Sequence, residues 1–125
     1  MNQHTINLDK ERILIFSNRA FRELEKRTGK SIFGMFADSS QGTEEQRFQK
    51  LTSLFFSIDF ITGFIWAGLL HEKITYEAVE EMILPTMYKE IMPQCLNIAL
   101  VEMGFMDKSE KKNIEVSPSP SLGTN

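Results

Sequence analysis

The stretch LTSLFFSIDFITGFIWAGLL, residues 51–70, decides the fold. Its twenty residues carry one charge, Asp59, and are long enough to cross a bilayer as a single helix. Asp59 stands near the middle, where a carboxylate costs about 2.5–3.5 kcal/mol to place in lipid. Thr52, Ser53, Ser57 and Thr62 dilute the hydrophobicity further. Ser57 followed by Asp59 reads as a helix cap with an acid in the next first turn. There the hydroxyl accepts from a free N–H and the acid faces the positive helix end. The run therefore predicts two short core helices rather than a membrane span.

Upstream, Thr43 and Gln46 have capping-box spacing and open the first of these helices toward Phe56, after a loop from Asp38 to Gly42. The second runs from about Ser57 to Leu70. After a connection over His71 to Ile74, Thr75 caps a helix from Tyr76 to Leu84. It points Glu77, Glu80 and Glu81 outward and Val79, Met82 and Ile83 inward, and Pro85 ends it. A last helix spans about Thr86 to Phe105, with Pro93 either kinking or dividing it. Toward the N-terminus, Ser17 or Asn18 caps a helix to about Thr28 whose inward stripe is Ala20, Phe21 and Leu24. Gly29 stands at the left-handed C-terminal position, and Arg19–Glu23 and Glu23–Arg27 form i,i+4 pairs. Ser31 then caps a short turn holding Ile32, Phe33, Met35 and Phe36. Two apolar segments, His4 to Leu8 and Arg12 to Phe16, flank the polar Asp9-Lys10-Glu11 and predict a hairpin that must pack on helices.

Together these segments predict a mainly α fold, a compact bundle of about five helices with a small N-terminal β-hairpin, over residues 1–108. Residues 109–125, with Ser117-Pro118-Ser119-Pro120-Ser121, read as a disordered Ser/Pro tail.

Composition narrows the function. Of 125 residues, 42% are apolar and 25% charged, as in an ordinary globular domain. The net charge of −3 argues against a general nucleic-acid binder, which needs a cationic surface to displace counterions. The first thirty-seven residues nevertheless carry seven cations against four acids, so a small basic patch is open there. The single cysteine, Cys95, excludes an internal disulfide and a cysteine zinc cluster, and reads as a small buried side chain. No charged-then-apolar leader opens the sequence, so a cytoplasmic setting is expected.

Catalytic motifs fail on inspection. Gly29-Lys30-Ser31 resembles the end of a phosphate loop, but Leu24 stands where its first glycine belongs and a helix precedes it. His71-Glu72 lacks a second histidine four residues on, where Thr75 stands. Asp59, Glu77, Glu80 and Glu81 read as solvated acids. Arg19, Arg22, Lys26, Arg27 and Lys30 read as a mixed-sign helix face, interleaved as they are with Glu23 and Glu25. No enzyme signature, cofactor or metal site is expected.

Methionine usage carries the remaining signal. Met82, Met87, Met92, Met103 and Met106 place five of the seven methionines within twenty-five residues. Such side chains are flexible and polarisable, and serve either to fill a core or to line an adaptable groove for a partner helix. Met87, Met92, Met103 and Met106 are the candidate partner-binding residues.

Three segments carry a family resemblance. Arg19-Ala20-Phe21-Arg22-Glu23-Leu24-Glu25-Lys26-Arg27-Thr28-Gly29-Lys30-Ser31-Ile32-Phe33 is followed by Ile65-Trp66-Ala67-Gly68-Leu69-Leu70-His71-Glu72. Ile74-Thr75-Tyr76-Glu77-Ala78-Val79-Glu80-Glu81-Met82-Ile83 comes next. In this order, behind a leading hairpin, they resemble the tail assembly chaperones of long-tailed phages and prophages, over residues 4–105. The resemblance implies a non-enzymatic protein of the host cytoplasm that binds the tape-measure protein, keeps it soluble and helps recruit tail-tube subunits. No nucleic-acid or membrane partner is implied, and self-association into a homo-oligomer is left open. It also implies a ribosomal frameshift that appends a second domain for the tail-tube protein; Lys111-Lys112-Asn113 can be encoded by a slippery adenine-rich stretch. Two other readings stand beside it, a structural tail-tube-associated component and a small helical DNA-binding regulator using Arg19, Arg22 and Lys26.

Overall fold

A computed structural model describes residues 2–37 and 42–105. Strands β1 (Gln3–Asn7) and β2 (Glu11–Ile15) pair antiparallel, Gln3 opposite Ile15 and Asn7 opposite Glu11. The alternation turns His4, Ile6 and Leu14 inward and leaves Gln3, Thr5 and Asn7 in solvent. Arg12 closes the hairpin turn with a fork: Nε and Nη2 donate to the two carboxylate oxygens of Asp9, at 3.0 and 2.7 Å. Nη1 donates to Glu72 Oε1 at 2.8 Å, which ties the hairpin to the far side of the bundle. The hydrogen bond from Arg12, more than its charge, holds the Asp9 carboxyl below its ordinary value.

Five of the six described helices begin at a Ser or Thr whose hydroxyl accepts from a free N–H; the last, which follows Met87, has no such cap. Ser17 opens α1 (Asn18–Thr28) by accepting from Ala20 N–H, and Gly29 closes it with φ 72° and an N–H donated to Glu25. Ser31 Oγ accepts from Gly34 N–H at the start of α2 (Ile32–Ala37), which buries Ile32. Thr43 and Gln46 make the reciprocal box at the head of α3 (Glu44–Leu54). Ser57 caps α4 (Ile58–Gly68) through Phe60 N–H, and Thr75 caps α5 (Tyr76–Met82) through Ala78 N–H. A single 3-10 turn, Pro85–Met87, leads into α6 (Tyr88–Glu102).

The fold is therefore mainly α with an N-terminal hairpin, as expected, with three corrections of detail. The segment after Ser31 is a helix, which raises the number among the described residues from about five to six. The last helix starts at Tyr88 rather than Thr86, because Pro85 opens a turn of its own. Pro93 does not divide that helix, which stays continuous to Glu102. The expected loop over 38–41 and the expected tail over 109–125 lie outside the described residues.

Helix α4 is the centre of the bundle. Phe60 through Ile65, Ala67 and Gly68 are all buried, and α1, α5, α6 and β2 pack around it. Two glycines allow that crowding. A Cβ on Gly63 would stand 3.3 Å from Leu24 Cδ1 and 3.4 Å from Thr28 Cγ2; one on Gly68 would stand 2.9 Å from Leu14 Cβ. Phe64 stacks between Phe16 and Phe55, with ring centroids 4.5 and 5.1 Å away. Helices α3 and α4 meet at 87°, so the apolar run folds back on itself at Ser57. No single described helix is long and apolar enough to cross a membrane; only this bent pair, taken together, has the length and composition.

Candidate partner-binding groove

The corner between α3 and α4 puts three consecutive residues to different uses. Phe55, at the end of α3, is buried among Phe60 and Phe64. Phe56 cannot follow it inward, because the chain turns there, and its ring is 68% exposed. Ser57 starts the next helix, whose first residue, Ile58, is 60% exposed. Two large apolar side chains thus stand in water at one corner, an arrangement that solvent does not favour.

Beside that corner runs a groove of about 300 Å³, lined by Phe56 and Thr52 on one wall and by Met92, Pro93 and Leu96 of α6 on the other. Phe55 forms part of its floor and Lys89 its one charged edge. Pro93 contributes twice. Its ring adds an apolar surface, and its missing N–H leaves the carbonyl of Lys89 without the helical donor it would otherwise have. The groove has room for one or two apolar side chains of a partner.

Only one of the four candidate methionines lines it. Met92 does; Met87 is half-buried, and its sulfur accepts from Leu84 N–H at 3.2 Å, so it serves the local turn. Met103 is half-buried against the core at the end of α6, about 16 Å along the helix from Met92. Met106 lies outside the described residues. Of Met87, Met92 and Met103, the groove itself therefore draws on Met92 alone. Phe56 and Leu96, which sequence reading did not single out, take the place of Met87 and Met103.

The basic residues of α1 separate into two groups. Arg19, Arg22, Lys26 and Arg27 are all exposed, and Lys26 Nζ lies 3.6 Å from Glu23 Oε2. Glu23 therefore pairs with Lys26 and not, as expected, with Arg27. The Arg27 guanidinium instead lies over the Tyr76 ring, 4.0 Å from its centroid, and 5.1 Å from that of Trp66. Trp66 is half-buried under this cation rather than fully enclosed.

Tyr76 is fixed in turn: its hydroxyl donates to Asp59 Oδ1 at 3.2 Å. Burial of the ring, and then the Asp59 charge, push the Tyr76 phenol above its ordinary value. Glu77, Glu80 and Glu81 are exposed, and among the described residues no three His, Cys, Asp or Glu side chains cluster as a metal site would need.

No family model, curated protein or solved structure matches the chain.

Proposed function

We propose that the protein is a non-enzymatic assembly chaperone that covers the apolar stripe of a partner helix, and that the partner is the tape-measure protein of a long-tailed phage or prophage. The groove between Phe56 and Met92–Leu96 carries the reading: it is apolar, open, and bordered by a corner that exposes Phe56 and Ile58. An amphipathic helix would place one or two of its apolar side chains there and an acidic neighbour against Lys89. The resemblance of the ordered segments to tail assembly chaperones names the partner. On this reading the protein acts in the host cytoplasm, touches neither nucleic acid nor membrane, and reaches tail-tube subunits through a longer, frameshifted product.

Co-expression tests it. Met92→Asp and Leu96→Asp should abolish co-solubilisation of the tape-measure protein while the far-UV spectrum and the cooperative melt remain. Unchanged yields with both variants would refute the groove. Reading the nucleotides around codons 108–115 tests the phage assignment separately: a homopolymeric slip site with an overlapping open frame supports it, and a non-repetitive stretch without one counts against the longer product.

A further inference from the structure

On the opposite side of the α3–α4 corner, a second cleft of about 410 Å³ lies between the end of α1 and the start of α4. Its walls are of two kinds. Leu54, Phe60 and the Tyr76 ring are apolar, while Arg27, Lys30 and Asp59 are charged. Among the described residues, neither Arg27 nor Lys30 has a carboxylate within ion-pair distance.

The Arg27 side chain is nonetheless held in place. One face of its guanidinium is on Tyr76, which Asp59 anchors, and Trp66 flanks it. Gly63 lets Thr28 and Tyr76 approach α4 closely enough to set this stack. An aromatic stack occupies the face of a guanidinium and leaves its five N–H donors, which lie in the plane at its edge, available for a planar acceptor. We infer that this cleft binds a carboxylate attached to an apolar body, with the carboxylate forked on Arg27, Lys30 adding charge, and the apolar part against Leu54 and Phe60. The charge count favours one ligand class: two cations and one carboxylate leave a net single positive charge, which a monoanion neutralises and a phosphate dianion would exceed.

Two sources share this chemistry, a free amphiphilic acid and the C-terminal residue of a peptide. Trp66, the single tryptophan, reports on both. Its fluorescence, and the Arg27 Nε–H and Trp66 indole N–H resonances, would be followed while the full chain is titrated with hexanoate, with acetyl-Gly-Gly-Leu, and with the amide of that peptide. A saturable change with hexanoate identifies a free acid, and one with the peptide acid alone identifies a chain end; the amide should be inert. Arg27→Gln should weaken binding by at least about tenfold, the size of a lost charge-assisted fork. Arg27→Lys should restore only part of it, and Lys30→Gln should weaken it less. The inference falls if neither acid gives a saturable change, if the amide acts like the acid, or if Arg27→Gln and Lys30→Gln both bind as the parent does.

Discussion

The ring of Phe16 reaches so close to the backbone of Gly68 that a Cβ at that position would stand 2.9 Å from its Cζ. Leu14 of strand β2 comes equally near, its Cβ 2.9 Å from the same point, so the hairpin and the central helix meet at a position that has room for hydrogen alone.

Gly68→Ala should therefore destabilise the domain by about 1–3 kcal/mol, the range of overpacked cores, despite the better helix propensity of alanine. Gly63→Ala is the control. There the new methyl meets Leu24 Cδ1 and Thr28 Cγ2 at 3.3 and 3.4 Å and the Tyr76 ring at 3.9 Å, contacts that need a shift of only a few tenths of an ångström. Urea unfolding should place Gly63→Ala within about 1 kcal/mol of the parent. Equal losses at both positions would show that the close approach at Gly68 is not what limits packing.

Thr62 is a second test of the same helix. Its hydroxyl is buried in the middle of α4 and finds no hydrogen-bond partner among the described residues. Thr62→Val replaces that hydroxyl by a methyl of similar size and should raise stability by about 1 kcal/mol, because burying an unpaired hydroxyl has a desolvation cost. A loss of stability would mean the hydroxyl has a partner after all, an ordered water being the first to seek.

Much of this fold was legible because its signals are local. Ser17, Thr43 with Gln46, Ser57, Thr75 and Gly29 each act within four residues of themselves, and each does what its spacing implied. The misreadings were of contacts set by distant residues. Glu23 and Arg27 have correct spacing for an ion pair, but α5 brings Tyr76 beneath the guanidinium, and that contact is invisible within α1. In Leu54-Phe55-Phe56, hydrophobicity alone does not say which ring the chain reversal will leave outside. Of the clustered methionines only Met92 lines the groove beside α6, because the sulfur of Met87 accepts from the backbone of the turn before that helix.

Tyr76 makes the alkaline limb of stability specific. Its phenol is raised in the folded protein, by burial first and Asp59 second, so the native state holds that proton more tightly than the unfolded chain. The stabilisation is complete below the unfolded value of about 10 and is lost as pH rises through the folded value. In a Tyr88→Phe background, which leaves Tyr76 as the single tyrosine, ultraviolet titration should show ionisation above about pH 10. Adding Asp59→Asn should return the midpoint part of the way, since burial remains. Ionisation at or below the ordinary value would contradict the enclosed position of the ring.

A buried polar contact joins the two ends of the described chain. His4 Nε2 lies 2.6 Å from Glu102 Oε2, with the imidazole fully buried and the carboxylate 11% exposed. His4→Ala should cost roughly 2–4 kcal/mol, combining a cavity with a mostly buried carboxylate deprived of this partner. Glu102→Gln, which can still hydrogen-bond, should cost about 1 kcal/mol. Chemical denaturation would rank them, and a larger loss for Glu102→Gln than for His4→Ala would be the contrary result.

That contact spans a sequence separation of 98 residues, and it sets an order of events during synthesis. The hairpin leaves the ribosome before any of the six described helices, yet two strands alone are marginal in water. Its supports are Gly68 on α4, made much later, and Glu102 at the end of α6, made later still. At roughly 5–20 residues per second, His4 waits about 5–20 s for its carboxylate. Phe16 gains Phe21 and then Phe64 as α1 and α4 are made, whereas the buried face at His4 stays open until α6 is complete.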